Sequence, residues 1–360
     1  IAFLLGGLTY IVLQFQLPNK CITLIFDETF AARDKLDAYL MQANIQAPIL
    51  IVDSAVLSAV SGDTPLLFKN RVKVAVERSF ENEKVAEFEE LLEIIYYDKP
   101  DDKDYLIFTD TDGTERAMLP FKITKHNTYS YPTRIDHFLQ DWSYSKMLKC
   151  ANELKRPANV TRKIPLSYAK HFADLRDFIK TKDNAHLVTH CGTLLGWYRE
   201  CSIIPHTTDV DFFIRSEEYS PKILSELKSR YSPYRLFRIY GLPDDSYELA
   251  VTVKSARPRV NIDLFSMYTT KNESWMGGLA WKSRQKYKWT YPRLTEFCTG
   301  DFLGYLIYIP CNVEGVLKTE YGSWKKDKSS SSYVWYKSSK NITPNGNFTK
   351  NQMRSMRSGD

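Results

Sequence analysis

Between His190 and Ile214 the chain reads HCGTLLGWYRECSIIPHTTDVDFFI, and the end of this stretch admits few structures. Asp209-Val210-Asp211-Phe212 alternates acidic and apolar residues with a period of two, the period of a strand whose successive side chains point to opposite faces. Val210 and Phe212 then face a core, while Asp209 and Asp211 share the other face and converge on one point. Two carboxylates so placed are costly unless a cation neutralises them. Mg²⁺ or Mn²⁺ suits such hard oxygen donors and would also hold a pyrophosphate. Upstream, His186–Thr189 predicts a short strand, Gly192-Thr193 a tight turn and Leu194–Arg199 a helix. A strand–turn–helix unit aims backbone N–H groups and a hydroxyl at an anion, and glycine lets a phosphate approach with no Cβ in the way.

A third carboxylate fits the same design. Arg259–Tyr268 reads RVNIDLFSMY, with Asp263 alone between Ile262 and Leu264. Aspartate is disfavoured in mid-strand and so needs a reason. If this strand lies beside the one holding Asp209, Asp263 reaches the metal site as a further ligand or as the base for an attacking hydroxyl. Arg199 closes the turn–helix unit and either contacts phosphate or forms an ion pair with Glu200. His190 and His206 flank the site and read as structural histidines, and Trp197 and Tyr198 as core. An Asp-x-Asp pair alone is ordinary in surface turns, and Gly-Thr before an apolar helix is common. The combination, with the fifteen residues 194–208 between them and a later apolar-flanked aspartate, has the layout of a nucleotidyltransferase palm.

Composition narrows the rest. A chain of 360 residues is long enough for two domains. With 43% hydrophobic and 26% charged residues it is not a mainly disordered chain. A mean hydropathy of −0.37 and a single long apolar run exclude a polytopic membrane protein. The balance of 49 Lys+Arg against 43 Asp+Glu is too even to imply nucleic-acid binding, and slightly favours partners carrying phosphate. The 23 Tyr and 7 Trp suit sugar binding and an ordinary β-rich core equally.

Ile1–Leu17 (IAFLLGGLTYIVLQFQL) carries no charge and predicts a single transmembrane signal anchor, with the remainder lumenal. As a helix it would span roughly 25 Å, so the lack of an initiator Met suggests a missing upstream turn. Sequons at Asn159, Asn272, Asn341 and Asn347 agree with a lumenal chain. The cysteines are Cys21, Cys150, Cys191, Cys201, Cys298 and Cys311; with no CxxC pair, a Cys-only zinc site has no support, and disulfide pairing is not readable. Residues 18–150 show an α/β pattern without a chemical motif: helices over Ala32–Ala43 and Val85–Ile95, strands over Ile49–Val52, Arg71–Glu77 and Tyr105–Thr109. This region reads as an accessory or stem domain. Residues 151–349 read as the catalytic domain, opening with an amphipathic helix that buries Tyr168, Phe172, Leu175 and Ile179. Residues 350–360 read as a loosely ordered polar tail.

The runs GTLLGWYRE and IIPHTTDVDF resemble the LicD family, whose members move phosphate-linked groups from CDP-activated donors. Tyr321-Gly322-Ser323-Trp324 is similar to the family's C-terminal YGxxW, and Pro344-Asn345-Gly346 and the anchor–stem–catalytic order are similar to its animal Golgi members. The resemblance covers roughly residues 186 to 346. It implies an α/β (α+β) fold, with a nucleotidyltransferase-like catalytic domain built on a mixed β-sheet. It also implies transfer of ribitol 5-phosphate from CDP-ribitol to a GalNAc hydroxyl on the phosphorylated O-mannosyl glycan of α-dystroglycan. The implied partners are a second transferase of the family and other O-mannosylation enzymes, with no nucleic acid, at the Golgi membrane. Mg²⁺ or Mn²⁺ would lie on Asp209, Asp211 and, by a looser match, Asp263; the phosphates would meet Gly192, Thr193 and Arg199. The ending NQMRSMRSGD departs from the family pattern. A non-catalytic scaffold that recruits glycosylation enzymes, and a transferase of another CDP-linked alcohol such as glycerol phosphate or phosphocholine, are the alternatives.

Overall fold

The computed structural model describes residues 2–5, 8–17, 20–27, 36–37, 40, 47–62, 71–81, 92–127, 129–157, 159–327 and 333–357. The chain divides into two compact units, Ile1–Ser143 and Tyr144–Asp360. Both are α/β with mixed sheets.

The expected transmembrane helix is absent. Ala2–Leu5, Leu8–Leu17 and Lys20–Asp27 are strands of an antiparallel three-stranded sheet. Among the described residues no helix is long and apolar enough to cross a membrane, so the single-pass Golgi anchor is not retained. The physical reason lies in the residue types: Thr9, Tyr10, Ile11, Val12 and Phe15 are β-branched or aromatic and favour a pleated strand.

The rest of the first unit is a seven-stranded mixed sheet. Val72–Glu77 and Leu92–Asp98 run parallel at its centre, and Ile49–Ile51 pairs antiparallel with the first of these. Asp53 starts the helix Ser54–Ser61 by accepting hydrogen bonds from Ala55 N and Val56 N at 3.0 Å, and Gly62 at φ +96° ends it. The helix expected over Val85–Ile95 is corrected in its second half, where Leu92–Asp98 is a strand; residues 85–91 lie outside the described residues. Of the helix expected over Ala32–Ala43, Leu36, Asp37 and Leu40 are described, all helical.

In the second unit the elements in chain order are β1 (Met147–Leu148), α1 (Tyr168–Asp183), β2 (Val188–Thr189), α2 (Cys191–Glu200), β3 (Asp209–Arg215), α3 (Pro221–Lys228), β4 (Tyr234–Leu242), β5 (Asp245–Val253), β6 (Asn261–Thr269), β7 (Glu273–Ala280), β8 (Gln285–Pro292), β9 (Phe297–Phe302), β10 (Tyr305–Pro310), α4 (Val313–Tyr321), α5 (Trp335–Ser338), β11 (Ile342–Asn347) and α6 (Lys350–Met353). The sheet order is β1-β9-β10-β2-β3-β6-β7-β8-β11, with β5 also on β6 and β4 beyond it. Tyr168, Phe172, Leu175 and Ile179 of α1 are all buried. Disulfides join Cys150 to Cys201 and Cys298 to Cys311.

Two features fix the frame around α2 and the C-terminus. Trp197, fully buried on α2, donates its indole N–H to Asp301 O at 2.7 Å and lies against Gly300 of β9. The tail expected to be loose is ordered as far as Arg357. Thr349 and Gln352 form a capping box on α6, Met356 packs with Leu279 and Phe348, and Arg357 exchanges backbone hydrogen bonds with Ile239 at 2.8 and 2.9 Å. Asn341, one of the sequon residues, donates its side-chain amide to Thr290 O at 3.0 Å.

A Cβ on Gly300 would fall 2.4 Å from Trp197 Cζ2, inside van der Waals contact with a fully buried ring. Gly300→Ala is therefore expected to destabilise the chain by roughly 1–3 kcal/mol through overpacking. Urea unfolding should show a lower midpoint at unchanged slope; an unchanged midpoint would contradict this packing.

Candidate active site

The approach to the acidic strand is set by a short antiparallel pair, in which Val188 and Thr189 of β2 lie opposite Phe213 and Phe212 of β3. His190 N–H then donates to Asp211 O at 3.1 Å, and Cys191 at φ +45° turns the chain into α2. The sequence-predicted tight turn at Gly192-Thr193 is thus the first turn of this helix, with the left-handed residue one position earlier. That turn faces Asp211: a Cβ on Gly192 would stand 3.7 Å from Asp211 Oδ2, and Thr193 Oγ1 accepts the Asp211 N–H at 2.9 Å. A helix start presents unpaired N–H groups and a positive dipole end, so it favours an anion here. Asp209, at the exposed start of β3, accepts the Thr207 hydroxyl on Oδ1 at 3.2 Å.

β6 runs parallel to β3, and the register sets Asp211 opposite Asp263 and Asp209 opposite Asn261. Neighbouring strands are about 4.8 Å apart, so the two aspartates crowd one face. Arg238 of β4 reaches Asp263 Oδ1 at 2.6 Å and Glu248 Oε1 of β5 at 2.7 Å. Burial, and then the negative charges of Asp209, Asp263, Glu320 and Glu248, push the Asp211 carboxyl well above the usual carboxylate range. Asp263 is pushed up to about 7, first by burial and then by Glu248, against the pull of Arg238.

Sequence reasoning missed Arg238, Glu248 and Glu320. Glu248 carries the signal that revealed Asp263, an acid isolated among apolar residues of a strand (Tyr247-Glu248-Leu249-Ala250-Val251). Glu320 directly precedes the Tyr321-Gly322-Ser323-Trp324 motif and is 1% exposed.

Arg199 does not face the acidic strand. It is 3% exposed, pairs with Glu200 Oε1 at 2.5 Å, and donates to the carbonyls of Trp324 and Lys326 at 3.4 and 3.2 Å. Its guanidinium ties the YGxxW segment to α2, so the phosphate contact is corrected to the structural ion pair. Tyr198 packs against Trp324 with ring centroids 5.2 Å apart, and His206 is half-buried in the loop before β3. His190 is buried beside Phe213 and Tyr291.

A family model described as the LicD/FKTN/FKRP nucleotidyltransferase domain matches residues 184–312, the segment that builds this site. The second unit therefore carries a LicD-type nucleotidyltransferase domain. A model of the W02B3.4-like N-terminal domain matches residues 35–149. The chain is 35% identical to uncharacterized protein T07A5.1 of Caenorhabditis elegans over 85% of its own length and 83% of that protein. It is 30% identical to uncharacterized protein W02B3.4 of the same organism over 88% of its length and 83% of that protein. The chain belongs to this W02B3.4-like family. Its similarity to ribitol-5-phosphate transferase FKTN (fukutin) of Mus musculus is partial, 32% identity over 43% of this chain and 32% of that protein. The resemblance read from the motifs thus holds for the family domain, while the two nematode proteins are matched over 85% and 88% of the chain.

The raised Asp263 pKa carries a sign. Between about 4, its unfolded value, and about 7 the folded chain holds a proton that the unfolded chain releases, so this group costs stability as pH rises through that window. His190, lowered to about 3 by burial, acts oppositely below about pH 6.5. Comparison with Asp263→Asn cancels the histidine. In chelator, the variant should gain roughly 1–3 kcal/mol on the wild type between about pH 5 and about pH 8. Parallel melting curves for the two proteins with pH would contradict the burial of that charge.

Proposed function

We propose that this site moves a phosphate-linked group from a CDP-activated alcohol to a hydroxyl acceptor. The observation that carries the reading is the in-register pairing of Asp211 with Asp263 beside the first turn of α2. A divalent cation, Mg²⁺ or Mn²⁺, fits the donor set, because a carboxyl raised by burial and by a neighbouring carboxylate, as Asp211 is, gains from a positive neighbour. Asp209 and Asp211 would hold it, and when bound it supplies charge neutralisation for the pyrophosphate and the departing CMP.

The remaining work falls to the chain's own groups. The N–H groups at Gly192 and Thr193 bind phosphate oxygens at the positive end of α2. Asp263 takes the proton of the attacking hydroxyl, held in place by Arg238 and poised near neutrality by its burial. The acceptor oxygen bonds to the β-phosphorus as the bond from that phosphorus to the bridging oxygen breaks, and CMP carries away the electron pair.

The partial likeness to ribitol-5-phosphate transferase FKTN supports CDP-ribitol as donor and, further out, the phosphorylated O-mannosyl glycan of α-dystroglycan as acceptor. A fukutin-related transferase would then be the partner. A panel of CDP-ribitol, CDP-glycerol and CDP-choline with the purified chain separates these donors. Asp209→Asn and Asp211→Asn should each lower transfer by about 10²–10³-fold or more while melting as cooperatively as wild type. Wild-type turnover in either variant would overturn the assignment. Calorimetry showing no metal-dependent donor binding in the wild type would leave a non-catalytic scaffold.

A further inference from the structure

Behind the first turn of α2, on the side of the fully buried His190, lies a second group of side chains that the transfer chemistry does not use. His190 is 0% exposed, and neither of its ring nitrogens has a hydrogen-bond partner. Its ring is wedged edge-on between Phe213 and Tyr291, at 5.1 and 4.9 Å between centroids. Glu320, at the end of α4, is 1% exposed and accepts the Tyr291 hydroxyl on Oε2 at 2.9 Å. Cys191 is the free cysteine among the described residues, and its thiol hydrogen-bonds to Glu320. One ligand atom from each of His190, Cys191 and Glu320 lies within 4.8 Å of the others. As an all-protein cluster this leaves the His190 ring unpaired although buried polar atoms are normally paired, and Glu320, hydrogen-bonded by Tyr291, Tyr321 and Cys191, is a buried carboxylate with neutral partners alone among those described.

We propose that His190, Cys191 and Glu320 bind a zinc-class transition-metal dication, at a site distinct from the aspartate face. Charge closes the argument. A neutral imidazole, a thiolate and a carboxylate together carry two negative charges, which cancel the dication and leave a neutral buried site. The thiol proton is released to solvent as the metal–sulfur bond forms, and no electrons are transferred. Donor softness sorts the two sites: sulfur and imidazole select zinc-class ions, whereas Asp209 and Asp211 offer hard oxygens. Zinc bonds of about 2.0–2.3 Å place tetrahedral ligands roughly 3.3–3.8 Å apart, so side-chain rotations closing about 1 Å complete the set. Tyr291 orients the carboxylate from behind, as outer hydrogen bonds do around protein-bound metals. The ion would pin the start of α2 to the end of α4, and so hold Gly192 against Asp211.

The test uses the full chain and reads metal directly. After exposure to Zn²⁺ and dialysis into Mg²⁺ buffer, plasma mass spectrometry should find about one zinc per chain. Co²⁺ in its place should give the near-ultraviolet thiolate-to-cobalt charge-transfer band. Cys191→Ser should abolish the band and weaken zinc binding more than about tenfold. Cys21→Ser, Asp209→Asn and Asp211→Asn should leave band and stoichiometry unchanged. Should Cys191→Ser fail to fold, the wild-type band together with its persistence in Cys21→Ser still assigns the thiol. Absence of retained zinc and of the band, or zinc lost in Asp211→Asn yet kept in Cys191→Ser, would overturn the proposal. Donor transfer is assayed separately, so either reading can fail alone.

Discussion

The parallel pairing of β3 with β6 is the constraint from which the chemistry of the second unit follows. A parallel ladder in register puts residues of like position on the same face, and here it aligns Asp211 with Asp263. A slip of one residue would turn Asp263 into the core and Ile262 outward, so the apolar neighbours Val210, Phe212, Ile262 and Leu264, all buried, hold the acids in place. The hydrophobic pattern thereby enforces an electrostatically unfavourable arrangement. Burial of four apolar side chains, each worth about 1.5–3 kcal/mol, outweighs the repulsion between two carboxylates that can share protons or a cation.

What was legible in the sequence follows from the range of the interactions involved. Asp209 and Asp211 announce themselves because strand periodicity is local, and Asp263 because an acid in mid-strand contradicts the propensity of its neighbours. For Arg199 the ion pair with the adjacent Glu200 was legible as one of two options, whereas its bonds to the Trp324 and Lys326 carbonyls, more than a hundred residues away, were not, since no local pattern encodes them. Arg238 is invisible for the same reason: its role comes from two carboxylates on two other strands. The apolar N-terminal run fails differently. Hydropathy alone does not separate a short membrane helix from strands, and the β-branched and aromatic content of Leu8–Leu17 was the discriminating signal.

The acids on this face are neutralised in two ways. Glu248 and Asp263 share an internal cation, Arg238, which is always protonated and cannot leave. Asp209 and Asp211 have no such residue among the partners described for them, and their compensation is left to the helix start and to whatever binds. A site divided in this way keeps a fixed anchor on one side and exchangeable charge on the other.

Cysteine usage adds a last step. Among the described residues four cysteines are paired in disulfides, while Cys191 is free beside Glu320. Geometry protects it, because burial among carboxylates raises its pKa well above the usual thiol value and suppresses the thiolate through which oxidation proceeds. The same burial leaves both ring nitrogens of His190 without a hydrogen-bond partner. An unpartnered imidazole beside a buried carboxylate and a free thiol, adjoining in space at a helix start, is accounted for by one shared occupant. The absence of a CxxC pair excluded only a site built locally from cysteines; a mixed donor set assembled from His190 before α2, Cys191 at its start and Glu320 of α4 leaves no mark in linear spacing.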